Sequence, residues 1–312
     1  MPPEPLASKL AGFALTALLG AALARWRRDV FDPERAGAVL ATLVTDVSFP
    51  ALTVLVLTRA RIRGDVLLAL VPATAALAAG IALAWIVSRA LRLDAPARGA
   101  FVLTAAFCNT AFIGLPLTQA LFPEPAYAAA ALVVDTFDTT LGLWTVGVSI
   151  AQRFGGRAGR ASPRAALLRP ATLSVLAGLA LNAADVSLPS SMESTLGMLA
   201  AATTPCVFLF LGMRLDLRSV HAQRRPLAAL AAIKLVAMPV VAAITARALG
   251  LRGPAAAIGT LQSAMPTALV AAVIAERAGC DARLATGAVA LTIPVGVALT
   301  ALSAPLYHWL AR

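Results

Sequence analysis

The ten residues Cys-Asn-Thr-Ala-Phe-Ile-Gly-Leu-Pro-Leu at positions 108–117 lie in the middle of an apolar run long enough to cross a bilayer. Lipid offers no partner to a free backbone N–H or C=O, so a spanning segment satisfies both within its own helix. An Asn-Thr pair, a glycine and a proline between Asn109 and Pro116 work against that arrangement. Proline lacks the N–H, and its ring clashes with the carbonyl four residues back, at roughly 3 kcal/mol or more in a helix interior. Such a break survives in a membrane where protein buries it or where it lines a cavity, and transporters hold substrates at breaks of this kind. The structural alternative is a proline kink with a glycine for close packing, since both residues are common in membrane helices.

The second half repeats the pattern. Leu-Gln-Ser-Ala-Met-Pro-Thr-Ala at 261–268 again sets polar side chains and a proline in mid-run, and each half carries a further intramembrane proline upstream, Pro50 and Pro205. Paired interruptions at corresponding places in two halves are the sequence mark of a transporter binding site. The candidate substrate contacts are therefore Asn109, Thr110, Gly114 and Pro116 from one break, and Gln262, Ser263, Pro266 and Thr267 from the other. Asn109 and Thr110 are expected to face a wet cavity and to hydrogen-bond a carboxylate there.

A mean hydropathy of +0.83, with 60% hydrophobic and 13% charged residues over 312 positions, places the chain among all-α polytopic membrane proteins. Ten spans are predicted near 8–24, 36–58, 66–88, 99–122, 126–151, 170–186, 192–213, 227–246, 254–275 and 284–310, and no connection is long enough for a soluble domain. Residues 1–151 and 170–312 form two five-helix repeats joined by a basic linker, 152–169, with Arg153, Arg157, Arg160, Arg164 and Arg169. An odd number of spans per half makes the second half enter from the opposite side, so the repeats are inverted. Helices four and nine are then equivalents, broken and crossing near the midplane. The N-termini of their inner halves present free N–H groups and partial positive charge, which suits an anion.

In a soluble protein a net charge of +11 would point to nucleic acid; here its distribution points to topology instead. Lys and Arg number 18 in the loops on the side of 25–35 and 7 on the other side, termini included, with Lys234 inside a span. The positive side is cytoplasmic, so the linker is expected inside and both termini outside. The loop with Arg59, Arg61 and Arg63 runs against this bias. Glu4 and Lys9 precede the first apolar run and Arg25, Arg27 and Arg28 follow it, the reverse of a signal peptide, so it reads as a retained span. Cys108, Cys206 and Cys280 form no CxxC pair, and with only His221 and His308 no metal site is expected. Cys108 and Cys206 read as small buried hydrophobes.

Three charged residues inside spans are candidates for ion coupling. Asp135 and Asp138 fall on the stripe Ala131, Asp135, Asp138, Gly142, Thr145, Ser149, whose steps of three and four put it on one α-helical face. A carboxylate at bilayer centre costs about 2.5–3.5 kcal/mol on insertion scales. The pair can bind a proton or cation, contact substrate, or lie near a surface or beside Lys234 as structural charges. Three roles are open to Lys234 itself: neutralising an aspartate, attracting an anionic substrate, or reaching an interface. Asp46, four residues before Pro50, is open to a helix-terminus or packing role as much as to a functional one.

The motif Asn-Thr-x-x-x-Gly-Leu-Pro-Leu at 109–117 resembles the fourth helix of the auxin efflux carrier family, whose members include plant auxin exporters and bacterial permeases labelled malonate or malate carriers. Ala-Met-Pro-Thr-Ala (264–268), Ala-Glu-Arg (275–277) and Leu-Ala-Thr-Gly-Ala-Val (284–289) are similar to its ninth and tenth helices. Pro205 with Leu-Gly-Met-Arg-Leu (211–215) is similar to its seventh. The resemblance, to the bacterial branch, covers nearly the whole chain. It implies ten helices, with a panel of spans one, two, six and seven and a mobile bundle of the rest. It also implies substrate where helices four and nine cross, with Asn109 a principal contact. The short linker lacks the long regulatory loop of many plant carriers.

The expected function is secondary transport of a small organic anion, a carboxylate, by elevator-like alternating access in a bacterial inner membrane. Proton coupling or the membrane potential would drive it. The alternative is sodium-coupled symport of the related bile-acid type, with Asn109, Gln119, Gln262, Asp135 and Asp138 as oxygen donors. HExxH and GxSxG are missing, so catalysis is not expected. A passive channel would differ in conducting without saturation. No cofactor is expected beyond a coupling proton or sodium ion. The expected partners are the anion, the lipid bilayer and, in a homodimer, a second copy, with no nucleic acid.

Overall fold

The computed structural model describes residues 6–26, 33–60, 64–156, 168, 170–214, 220–221 and 223–312. Arg157, Arg160, Arg164 and Arg169 of the linker, and Arg61 and Arg63 of the atypical loop, lie outside the described residues. The first half runs α1 (Leu6–Trp26), α2 (Pro33–Leu43), α3 (Phe49–Arg59), α4 (Gly64–Leu68), α5 (Leu70–Ala90), α6 (Ala95–Ala106), α7 (Leu115–Leu121), α8 (Pro125–Val134) and α9 (Val148–Gly155). The second runs α10 (Pro170–Ala183), α11 (Ser190–Ala201), α12 (Thr203–Arg214), α13 (Arg224–Ala232), α14 (Met238–Ala248), α15 (Gly253–Ser263), α16 (Leu269–Ala278), α17 (Ala282–Leu302) and α18 (Ala304–Leu310). Among the described residues four continuous helical stretches are long and apolar enough to cross a membrane: Val66–Ala90, Ser190–Met213, Arg224–Ala248 and Ala282–Leu302.

The chain divides into two compact units. One comprises Met1–Ile62, Gln119–Ala129 and Leu167–Leu215, and so gathers α1–α3 with α10–α12, the segments expected as spans one, two, six and seven. Inside it, small residues let backbones meet, the usual device of membrane helices, which have no hydrophobic drive toward each other. A Cβ on Gly212 would fall 1.8 Å from the Ala17 carbonyl oxygen, and one on Gly20 would fall 2.2 Å from that of Leu209, so α1 and α12 touch at both glycines. Phe13 and Phe208 stack in the same contact, ring centroids 4.6 Å apart. Gly178 of α10 seats Leu57 of α3, and the Asn182 amide donates to the carbonyls of Leu57 (2.8 Å) and Ala60 (2.6 Å), capping the end of α3.

The second unit comprises Arg63–Thr118, Ala130–Ala166 and Asp216–Arg312. Here α5 meets α14 where Gly80 faces Met238, and meets α15 where Gly259 faces Pro72 and the Ala69 carbonyl. Asp94 and Asp281 cap α6 and α17 by accepting from the Ala97 and Leu284 N–H groups, at 2.9 and 3.0 Å. Cys280 packs under Gly99, and burial pushes its thiol up to about 11.

Two expected spans are each in two pieces. Backbone leaves the helix after α6 and again after α15, and resumes with Thr110 and with Leu269. The first break is not where the proline suggests. Residues 107–109 lie outside the helix, whereas Gly114 and Pro116 are already helical. Pro116 follows directly on helical turns that begin at Thr110, Pro50 follows Val44–Ser48 within helix that runs from Pro33 to Arg59, and Pro205 lies within the continuous stretch Ser190–Met213. A wide turn just before a proline shifts the hydrogen-bond register that its ring and missing N–H would otherwise disrupt. Pro266 alone of the four lies in a non-helical segment.

Five wide turns, closed by i→i+5 hydrogen bonds, interrupt the helices among the described residues: Val44–Ser48, Thr110–Gly114, Asp135–Leu141, Leu143–Gly147 and Ile233–Ala237. Asp46, Asp135, Asp138 and Lys234 all lie in them. Each wide turn inserts a residue into the helical repeat and is often found at functional sites.

Candidate functional site

The two breaks are joined to each other. The N–H of Asn109 donates to the Pro266 carbonyl at 2.7 Å, and that of Ala268 donates to the Phe107 carbonyl at 3.0 Å, an isolated antiparallel bridge centred on Cys108 and Thr267. Each interrupted helix thereby satisfies the groups its neighbour exposes, as buried backbone requires. Thr267 locks the junction: its N–H donates to Thr292 Oγ1 (3.0 Å) and its hydroxyl to the Thr104 carbonyl (2.9 Å). Asn109, Thr110, Gln262, Ser263 and Thr267 are all at most 4% exposed. The expected wet setting of Asn109 is therefore corrected: tight pairing of the breaks leaves it buried.

The hydroxyls predicted as substrate contacts are already engaged. Thr110 Oγ1 lies 2.5 Å from Asp135 Oδ1 and 2.7 Å from Thr139 Oγ1, and Ser263 donates to the Gly259 carbonyl at 2.7 Å. The Ala111 N–H and the Thr140 hydroxyl also lie near Asp135. The expectation that the half-helix starting at Thr110 offers free N–H groups to a ligand is thus modified. A carboxylate of the protein itself occupies that positive end.

What remains open is narrower. Asn109 Oδ1 accepts from the Phe112 N–H at 3.2 Å and caps the half-helix, which leaves Asn109 Nδ2 buried with no partner. Gln262 Nε2 donates to Thr118 Oγ1 at 3.3 Å, which leaves Gln262 Oε1 without one. Asp138 Oδ1 accepts from Thr74 on α5 at 2.7 Å, and Asp138 Oδ2 is likewise unpartnered. Gly114 makes room for Gln262, since a Cβ there would lie 2.0 Å from Oε1. Cys108, Thr110, Asp138, Thr139, Gln262 and Ser263 line a cavity of about 20 Å³, with apolar walls that include Phe107 and Met238. That is room for about one water-sized group.

Asp135 and Asp138 do not act as one face. The wide turns from Asp135 to Gly147 break the 3.6-residue repeat on which the stripe was drawn, and the two carboxylates bind different elements. Lys234 has no exposed surface, and among the described residues no carboxylate pairs with it. Its Nζ lies 3.3 Å from Cys108 Sγ instead. Neutralising an aspartate and reaching an interface are both corrected by that burial and partner. Asp46 is exposed and accepts from the Thr45 hydroxyl at 3.0 Å. Sequence reasoning passed over Thr74, Thr118, Thr139 and Thr140. The density of hydroxyls and carboxylates in Asp-Thr-Phe-Asp-Thr-Thr, 135–140, was the available signal.

The model of a family described as membrane transport protein matches residues 10–156 and 156–308 of this chain. An uncharacterized transporter of Methanothermobacter thermautotrophicus is 28% identical over 279 residues, which cover 88% of this chain and 89% of that protein.

Proposed function

Because the chain belongs to the membrane transport protein family, that of the auxin efflux carriers, we propose that it is a secondary carrier for a small organic anion, a carboxylate, held where the two helix breaks meet. The observation that carries this reading is the bridged pair of breaks with a buried amide donor, Asn109 Nδ2, left open beside it. A desolvated donor without a partner costs about 1–3 kcal/mol, which a ligand acceptor recovers on binding. Two inverted five-helix repeats fit the two family matches, which meet at residue 156 inside the basic linker. Elevator-like access fits the grouping of the candidate substrate contacts with Asp135, Asp138 and Lys234 in the second unit, which would carry the site as one body. The direct test is uptake into proteoliposomes against a panel of mono- and dicarboxylates. Saturable uptake with counterflow is expected; conductance without saturation would make the protein a channel.

Orientation follows from the 18-to-7 division of Lys and Arg, with both termini outside a bacterial inner membrane. In a cysteine-free background, a cysteine at position 312 should react with an impermeant maleimide in intact cells and one at 160 should not. The reverse pattern would invert the assignment.

A second reading, sodium-coupled anion symport, is favoured by one observation: Asp138 Oδ2 and Gln262 Oε1, both acceptors without donors, line the same small cavity. Asp138→Asn replaces one of these oxygens with a donor. It should abolish the dependence of uptake on its coupling ion, and Asp135→Asn should weaken that dependence by loosening the half-helix it caps. Uptake by both variants with unchanged sodium and pH dependence would make the carboxylates structural. Loss of sodium dependence in Asp138→Asn would select the symport reading over proton coupling.

A further inference from the structure

Lys234 is, among the described residues, the charged side chain with no exposure at all, and the group against its Nζ is a thiol, a weak acceptor. An ammonium buried without a carboxylate is costly to keep and in membrane proteins marks a functional position. The sulfur touching it belongs to the helix break: Cys108 Sγ lies 3.6 Å from the Ser263 carbonyl and lines the cavity of about 20 Å³ that Lys234 itself does not line. Cys108 therefore touches both the ammonium and the cavity that Lys234 does not reach. Three further buried polar atoms belong to the same junction without partners: Asn109 Nδ2, on the residue next to Cys108, and Gln262 Oε1 and Asp138 Oδ2, on residues of the cavity wall.

We propose that Cys108 is a gate on Lys234: its side chain screens the ammonium from the cavity, and rotation about its Cα–Cβ bond gives the ammonium to the carboxylate of an entering anion. This rests on the carrier reading above and names the charge that would select its substrate. The cavity holds about one water-sized group, so rotation of the thiol must also widen it for a terminal carboxylate, and Asp138 on its wall must then carry the coupling proton or cation. Asn109 Nδ2, which is off the cavity wall, donates to the anion where the two breaks meet. In the empty state the thiol keeps water and stray anions from a buried cation.

The test is a double-variant cycle on the purified full chain, with malonate as probe and dissociation constants read by calorimetry. Lys234→Met should weaken binding by about tenfold or more, since it removes a charge-assisted contact while keeping side-chain length. Cys108→Ala should tighten binding several-fold. In the double variant the Cys108 effect should vanish, because the thiol acts only through Lys234. Wild-type affinity in Lys234→Met, or the same Cys108→Ala effect with and without Lys234, would overturn the gate.

Should Lys234→Met not fold, a second measurement decides the matter on a chain whose single cysteine is Cys108. Methyl methanethiosulfonate transfers its S-methyl group to the thiol, forming a disulfide and releasing methanesulfinic acid. Saturating malonate should slow that reaction at least about fivefold by occupying the space beside the sulfur; an unchanged rate rejects the gate. A wild-type chain that binds no mono- or dicarboxylate sinks the carrier reading itself. A chain that binds malonate with the Lys234 variant unaffected sinks only the gate.

Discussion

Gly114→Ala should abolish anion binding, by about a hundredfold or more, in a chain that still folds. The added methyl carbon would lie 2.0 Å from Gln262 Oε1 and 3.0 Å from Nε2, well inside van der Waals contact. Those atoms end a flexible side chain, so the clash is relieved by moving the amide rather than the helix. With Gln262 1% exposed and donating to Thr118 Oγ1, the amide can move only by giving up that bond and entering the cavity it lines. Alanine is itself the better helix former, so the half-helix beginning at Thr110 gains slightly. The loss therefore falls on the site, where misplacing one group by about 1 Å can cost a hundredfold. Affinity and thermal unfolding measured on the same sample separate the two effects. Gly114→Ala with Gln262→Ala removes the clash. Partial recovery of binding in that pair would locate the damage in the displaced amide, whereas wild-type affinity in Gly114→Ala alone would place the anion away from α15.

The sequence made the breaks legible as polar residues and prolines in apolar runs, but not their location or their pairing. Proline at 116 lies six residues into the resumed helix, and those at 50 and 205 lie inside continuous helix, so none of the three marks a break. The non-helical residues of the first break, Phe107 to Asn109, include no breaker before the asparagine. Hydrogen bonds to Pro266 and from Ala268, distant in sequence, hold them out of the helix. The Asp135–Asp138 stripe failed for a related reason. It assumed 3.6 residues per turn, and no local signal announces an i→i+5 turn. That the wide turns include Asp46, Asp135, Asp138 and Lys234 suggests where to look: a charge inside an apolar run needs a partner, and a widened turn re-aims it toward one. Cys108 shows the opposite limit. As a small apolar residue in an apolar run it carried no sign of the lysine 126 positions away that leans on it.

Asn109 separates the substrate contact from the scaffold, because its two amide atoms have different duties. Oδ1 accepts from the Phe112 N–H and caps the half-helix, while Nδ2 has no partner. Asn109→Ala removes both: about 1 kcal/mol of capping, and a hydrogen bond to a charged ligand of about 1.5–3 kcal/mol. Binding should weaken roughly ten- to a hundredfold, with a small fall in thermal stability. Asn109→Asp is the sharper variant. It keeps an oxygen for the cap, and a negative charge at a helix N-terminus is favourable, so the half-helix should hold. Yet it exchanges the open donor for an acceptor and sets like charge against the incoming carboxylate. Asp should therefore bind the anion no better than Ala, while unfolding at or above the temperature of Ala. If Asp instead bound the anion like the wild type, the capping oxygen would be the atom that matters, and the anion's contacts would lie with Lys234 and the backbone rather than with the amide.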